Sequence, residues 1–242
     1  MMSVRVFAHR GFSGIYPENT EIAFCRALDL GVDGIEFDLR ATRDGHLVAI
    51  HDPTVDRTSN GSGPVSELTL DQIKNLDAGS WTSPEFAGQS YLTLKEVLDI
   101  VGHRAELNIH LKADQTTREM IVRATISEIK ARNLLDEAFV ASDQETIALC
   151  RRIHPRLRTC NLTTDPVDSY ISRSRGLGCS ILQPKNADVD IDFVVEAHAL
   201  GMVVNPFYAD DPGEMKRLID CGVDGMLTNR PDLLEELGRD GD

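Results

Sequence analysis

The connection between Arg40 and Leu47 constrains the fold more than any other stretch of this 242-residue chain. Apolar strand patterns flank it, at residues 34–40 and 47–51. The linker is too short for the crossover of a dozen or more residues that joins parallel strands. It contains Asp44-Gly45, a hairpin-turn dipeptide. Residues 47–51 therefore read as a return strand, antiparallel to its predecessor, with Thr42 opposite Leu47, Arg40 opposite Ala49 and Asp38 opposite His51.

Elsewhere strand and helix alternate. Strand patterns fall at residues 4–9, 34–40, 106–112, 138–142, 157–162, 179–183, 202–207 and 225–228. Helices fall between them, the first at 20–30. Thr93 and Glu96 have capping-box spacing. Asp165-Pro166 and Asp211-Pro212 each read as an acidic N-cap before proline at the first helical position. Gly201 and Gly222 sit where helix C-caps belong. Removing the return strand leaves eight parallel strands, and this pattern in about 250 residues is that of a (β/α)8 barrel. A doubly wound open sheet competes, but it would open with a glycine-rich phosphate loop, and none follows the first strand. Residues 52–92 interrupt the alternation with one short helical pattern at 69–76 and the only tryptophan, Trp81. They read as an insertion at the C-terminal face of a single barrel, shaping the substrate mouth. The acidic tail at 239–242 is expected to fray.

Composition narrows the partners. Twenty-five Lys and Arg stand against 39 Asp and Glu, a formal charge of −14. Such a field repels phosphate polymers, which argues against nucleic acid and anionic membranes. An anionic substrate would need a local positive site, and a metal ion is the natural one. No apolar run reaches the roughly 18 residues of a membrane span. The five cysteines form no C-x-x-C pair and read as reduced, core-type residues, which suits a cytoplasmic protein.

The informative polar residues end the early strands. His9 and Arg10 close the first. Glu36 and Asp38 lie two apart, so they share a face, and paired carboxylates there call for a cation. His51 ends the return strand beside Asp38. Asn108, His110 and Lys112 alternate along one face of a later strand. One histidine alone would carry little, but this convergence at one end points to a catalytic site.

These residues resemble the glycerophosphodiester phosphodiesterase family. His9-Arg10-Gly11 with Pro17-Glu18-Asn19-Thr20 is similar to its opening motif. Glu36-x-Asp38, Thr42-x-Asp44-Gly45, His51-Asp52 and Arg57-Thr58 are similar to its second block. Pro206-Phe207-Tyr208, Gly222-Val223-Asp224-Gly225 and Thr228-Asn229-Arg230-Pro231 are similar to its C-terminal block. The resemblance implies a TIM-type barrel and metal-dependent hydrolysis of a small anionic diester to an alcohol and glycerol 3-phosphate. It implies His9 and His51 as acid/base pair, Arg10 and Lys112 as phosphate-charge stabilisers, and Glu36 and Asp38 as metal ligands. A glycerol hydroxyl attacking phosphorus to give a cyclic phosphate would belong to the same implication.

One position departs from the pattern. Where the family's strand reads Asn-Ile-Glu-Ile-Lys, this chain reads Asn108-Ile109-His110-Leu111-Lys112. His110 as third ligand would make the site one charge less negative, favouring a nitrogen-accepting transition metal such as Mn²⁺ over Mg²⁺ or Ca²⁺. Glu106 is too far back to substitute, ~13 Å along the strand; Asp114 lies just beyond Lys112. Two alternatives stay open: a lysophospholipase D-like activity, with an apolar channel through 52–92, and a catalytically impaired barrel that binds a phosphorylated ligand.

Overall fold

The computed structural model describes residues 4–233, so the acidic tail at 239–242 lies outside the described residues. The strands are β1 (Arg5–His9), β2 (Gly34–Ala41), β3 (Leu47–Ala49), β4 (Glu106–Leu111), β5 (Ala138–Ser142), β6 (Arg158–Asn161), β7 (Ile181–Leu182), β8 (Val203–Val204) and β9 (Gly225–Thr228). All but β3 run parallel, in the order β9-β1-β2-β4-β5-β6-β7-β8. The ring closes between its last two members, where Asp224 N–H donates to Val204 O and Leu227 N–H to Pro206 O, both at 3.0 Å. This is the (β/α)8 barrel that the strand count implies.

Helices α1 (Glu21–Asp29), α2 (Leu70–Lys74), α3 (Leu94–Val101), α4 (Arg118–Ala131), α5 (Gln144–Ile153), α6 (Tyr170–Gly176), α7 (Ile191–Ala199) and α8 (Pro212–Cys221) follow in chain order. Among the described residues, no helix is long and apolar enough to cross a membrane. Thr93 and Glu96 cap α3 reciprocally, and Asp211 accepts from Gly213 and Glu214 N–H at the start of α8. Each such cap is worth ~1 kcal/mol. Asp165-Pro166 does not start a helix. Pro166 is extended, at ψ 143, a short 3₁₀ turn follows, and α6 begins only at Tyr170. The Asp165 carboxylate instead meets Lys185 Nζ at 3.2 Å.

The β2–β3 hairpin forms one residue out of the expected register. Leu39 faces Ala49, Arg40 faces Val48 and Ala41 faces Leu47. The turn is the cause. Thr42 N–H donates to His46 O at 2.9 Å, leaving a three-residue loop whose last member, Gly45, has φ 82. That left-handed position suits glycine and gives a bulged hairpin. β3 ends at Ala49, so His51 lies beyond the ladder, while Ile50 N–H donates to Asp38 O at 3.0 Å.

The apolar packing divides in three. Most of it lies between sheet and helices. Inside the ring, Phe7, Phe139, Ala141, Cys160, Ile181 and Leu227 pack together, with Phe7 and Phe139 edge to face at 6.1 Å. A Cβ on Gly34 would come within 2.3 Å of the Phe7 ring, so glycine makes room for it. Residues 52–92 carry a third cluster of their own, in which Val55, Val65, Ile73, Ala78 and Tyr91 join Val48 and Ile50. At the N-terminal end of the ring, the Glu106 carboxylate sits between Arg5 Nη1 at 2.5 Å and Arg158 Nη2 at 2.6 Å.

Candidate active site

At the C-terminal end of the strands, one cavity of about 240 Å³ is lined by His9, Arg10, Glu36, Asp38, His51, His110 and Lys112 together. Parallel pairing does this. β1 and β2 align His9 with Glu36, and β2 and β4 align Asp38 with His110. The two-residue spacing turns each polar pair inward while Phe37, Leu39, Ile109 and Leu111 face the helices. The opposite wall is apolar, made by Ala141, Leu162, Phe207 and Leu227, with Gln183 among them. Among the described residues, none of 52–92 lines this cavity, so its apolar wall comes from strand ends and not from a channel through the insertion.

Asp38 is the electrostatic centre. Its Oδ1 lies 3.2 Å from both Lys112 Nζ and His110 Nδ1, and its Oδ2 lies 3.3 Å from Arg10 Nε. Burial opposes its charge, but His110, Lys112 and Arg10 outweigh that and hold the carboxyl well below its usual range. Arg10 reaches Asp38 from a left-handed backbone, φ 58, in which its N–H donates to Glu36 O at 2.9 Å. Glu36 is less well served. Its carboxylate accepts one N–H, from Arg10 at 3.1 Å. Burial, then the charge of Asp38, push its carboxyl up to about 8.

That imbalance is what a cation would relieve. Glu36, Asp38 and His110 each offer a ligand atom, all within 4.8 Å of one another. Ligands at ~2.0–2.6 Å around one ion span such distances. Two carboxylate oxygens and an imidazole nitrogen therefore fit a divalent metal. The two other acidic residues considered from sequence are committed elsewhere: Glu106 to the far end of the barrel, and Asp114 to capping Thr116 and Thr117 N–H at 2.8 and 2.9 Å.

The two outer histidines are held differently. His9 Nδ1 lies 2.7 Å from Asn229 Oδ1, and Asn229 Nδ2 donates to Asp210 Oδ2 at 2.6 Å. With the amide oriented that way, His9 Nδ1–H donates to it, and Nε2 faces the carboxylates, 3.8 Å from Glu36 Oε2. Tyr208 stacks on the ring at 5.2 Å. Burial, then Arg10, pull His9 down to about 4. His51 Nδ1 instead meets a carboxylate, Asp52 Oδ1, at 2.7 Å. Burial lowers His51 too, against the pull of Asp38 and Asp52.

Asp52 is itself gripped. Arg57 Nε donates to its Oδ2 at 2.6 Å, while Arg57 Nη1 and Nη2 each donate to Glu18 at 2.8 Å. Glu18 also accepts from Arg10 Nη1 at 2.9 Å. Trp81 lies against the Arg57 guanidinium, 5.7 Å from its ring centre. Sequence reasoning named none of Asn229, Asp52, Glu18, Arg57 or Gln183 as site residues. All but Gln183 lie in the quoted motifs; Gln183 carries no signal beyond its place at a strand end.

The comparisons with known proteins agree with this geometry. The model of the glycerophosphoryl diester phosphodiesterase family matches residues 9–233. A glycerophosphodiester phosphodiesterase from Caldanaerobacter subterraneus subsp. tengcongensis is 36% identical over 242 residues, spanning 99% of this chain and 100% of the relative. One from Bacillus altitudinis is 35% identical, spanning 94% of this chain and 95% of the relative. Among solved structures, an Oleispira antarctica phosphodiesterase in complex with the product sn-glycerol-3-phosphate superposes with a TM-score of 0.90 at 26% identity, over 96% of this chain and 95% of the other. The Agrobacterium tumefaciens glycerophosphodiester phosphodiesterase gives 0.86 at 29% identity, over 96% and 99%. The chain belongs to the glycerophosphoryl diester phosphodiesterase family, a family of phosphoric diester hydrolases.

Proposed function

We propose that this protein hydrolyses small glycerophosphodiesters to an alcohol and glycerol 3-phosphate, with His9 and His51 exchanging the protons. The observation that carries the reading is the unlike support of the two imidazoles. His9 hangs from a neutral amide, Asn229 Oδ1, which suits a neutral ring with a free Nε2 lone pair. His51 hangs from a carboxylate, Asp52 Oδ1, which stabilises an imidazolium. His9 Nε2 therefore takes the proton of the glycerol hydroxyl next to the ester. That oxygen attacks phosphorus, the bond to the leaving alcohol breaks, and His51 gives the alkoxide its proton. Water then opens the cyclic phosphate with the two roles reversed.

Arg10 and Lys112 lie on the two sides of Asp38 and present their positive charge to the phosphoryl oxygens. Glu36, Asp38 and His110 would hold a divalent cation, which when bound would supply Lewis-acid charge for the phosphoryl group. The neutral third ligand shifts preference toward metals that accept nitrogen. The insertion at 52–92 shapes the mouth from outside, through the hold of Arg57 on Asp52 and Glu18.

The test is glycerol 3-phosphate release from a short glycerophosphodiester with Mn²⁺, Mg²⁺ or Ca²⁺ added in turn to chelated protein. Release is expected only with metal, highest with Mn²⁺. Release undiminished by chelation would sink the metal assignment, and no release with any of the three would sink the activity. His110→Glu is expected to move the optimum toward Ca²⁺ or Mg²⁺ by about tenfold in relative rate; an unchanged ranking would remove His110 from the ligand set.

A further inference from the structure

The apolar wall of the cavity contains one amide whose nitrogen lacks a hydrogen-bond partner among the described residues. Gln183 is 2% exposed, follows β7 directly, and lines the cavity between Leu162 and Phe207. Its backbone N–H is used, donating to the Tyr170 hydroxyl at 3.0 Å. Among the described residues its side-chain Nε2 has no hydrogen-bond partner. A buried donor left unpaired costs about 1–3 kcal/mol, so such a group persists where a ligand completes it. The other unpaired amide in this lining, Asn108, lies across the cavity in register with Glu36 on the charged wall. Gln183 places a buried, unpaired donor amid Ala141, Leu162, Phe207 and Leu227.

We infer that Gln183 is a specificity-determining residue, whose Nε2 donates to a hydroxyl of the group seated against the apolar wall. The inference rests on the phosphodiesterase reading and deepens it. A short hydroxylated carbon chain satisfies both features at once, its carbons on the apolar side chains and its oxygen on the amide. An acyl chain in the same place would bury the Gln183 donor unpaired. The selected substrates are therefore diesters of glycerol with the terminal hydroxyl free, and the discriminating contact lies just past the end of β7, opposite the proton-transfer groups of β1 and the hairpin.

Two substrates isolate the contact: a glycerophosphodiester, and the same diester built on propane-1,2-diol, which keeps the attacking hydroxyl and lacks the terminal one. The wild type is expected to favour glycerol by about 10–100-fold in kcat/KM. Gln183→Met, close in volume, is expected to shrink the ratio to within about threefold, mostly by slowing the glycerol substrate. Gln183→Leu removes both donor and acceptor at the position, and is expected to lose the preference as well. An equal ratio in wild type and both variants overturns the inference. Binding of glycerol 3-phosphate and of propane-1,2-diol 1-phosphate, measured by calorimetry, supplies a readout independent of turnover. A wild type that binds both alike overturns the inference even if it hydrolyses diesters. Discriminating binding without hydrolysis upholds the inference and refutes the activity.

Discussion

The two ends of this barrel each bury a glutamate, and they treat it in opposite ways. At the N-terminal end Glu106 lies between two guanidinium groups, Arg5 and Arg158. At the C-terminal end Glu36 has one backbone N–H, a neighbouring carboxylate, and a carboxyl pushed up to about 8. The first carboxylate finds its counter-charges within the protein. The second is left short of positive charge by design of the strand faces, which set Asp38 beside it. Neutralisation from within serves the fold, whereas a deficit at the mouth creates affinity for something that comes from outside.

Substitutions can break that comparison, starting with the proton carriers above the deficit. His9→Ala and His51→Ala should each lower kcat by about 10²-fold or more while thermal melting stays near that of the parent. Near-normal turnover in either variant removes that histidine from the reaction. Next comes the deficit itself. A carboxyl titrating near 8 must lose its proton before it can ligate, so cation affinity should fall as pH drops below about 8, by up to tenfold per unit. Calorimetry in buffers of different ionisation heat should show protons released on loading; a pH-independent affinity with no release contradicts this account of Glu36.

Smaller effects should follow from groups farther from the mouth. Arg57→Ala should cost about 5–10-fold in kcat with little change in KM, because it frees Asp52 and so loosens His51. Arg57→Lys should recover only part of this, since an ammonium cannot hold Asp52 and Glu18 with a planar fork. An equal rise in KM in both would place Arg57 in substrate binding instead. Glu106→Gln should leave kcat unchanged and lower Tm by a few degrees, from a loss of about 1–2 kcal/mol, modest because Arg5 and Arg158 are partly solvated. A drop in kcat there would erase the distinction between the ends.

Much of this was legible in the sequence because it depends on spacing. Glu36 with Asp38, and His110 with Lys112, share a face at a separation of two whatever the rest of the chain does, and a linker too short for a crossover leaves only a hairpin. The hairpin register was not legible. It turns on Gly45 taking φ 82, and on Thr42 reaching His46 N–H and Asp44 through its hydroxyl. The partners of the histidines were hidden for another reason. His9 and Asn229 stand 220 residues apart and meet only when the ring closes. Asp165-Pro166 misled because its local signal is that of a helix start, and the chain there runs extended before turning.

Trp81 has a use that its place in the insertion does not suggest. It is the only tryptophan in the chain, and its indole faces the Arg57 guanidinium, whose other contacts are Asp52 and Glu18. Excitation of indole above the tyrosine band therefore interrogates a single fluorophore beside that cation. Any movement of the guanidinium alters the field across the excited ring and shifts its emission. The molecule thus carries a label-free optical gauge of the clasp on its second histidine, readable in stopped flow without adding a dye.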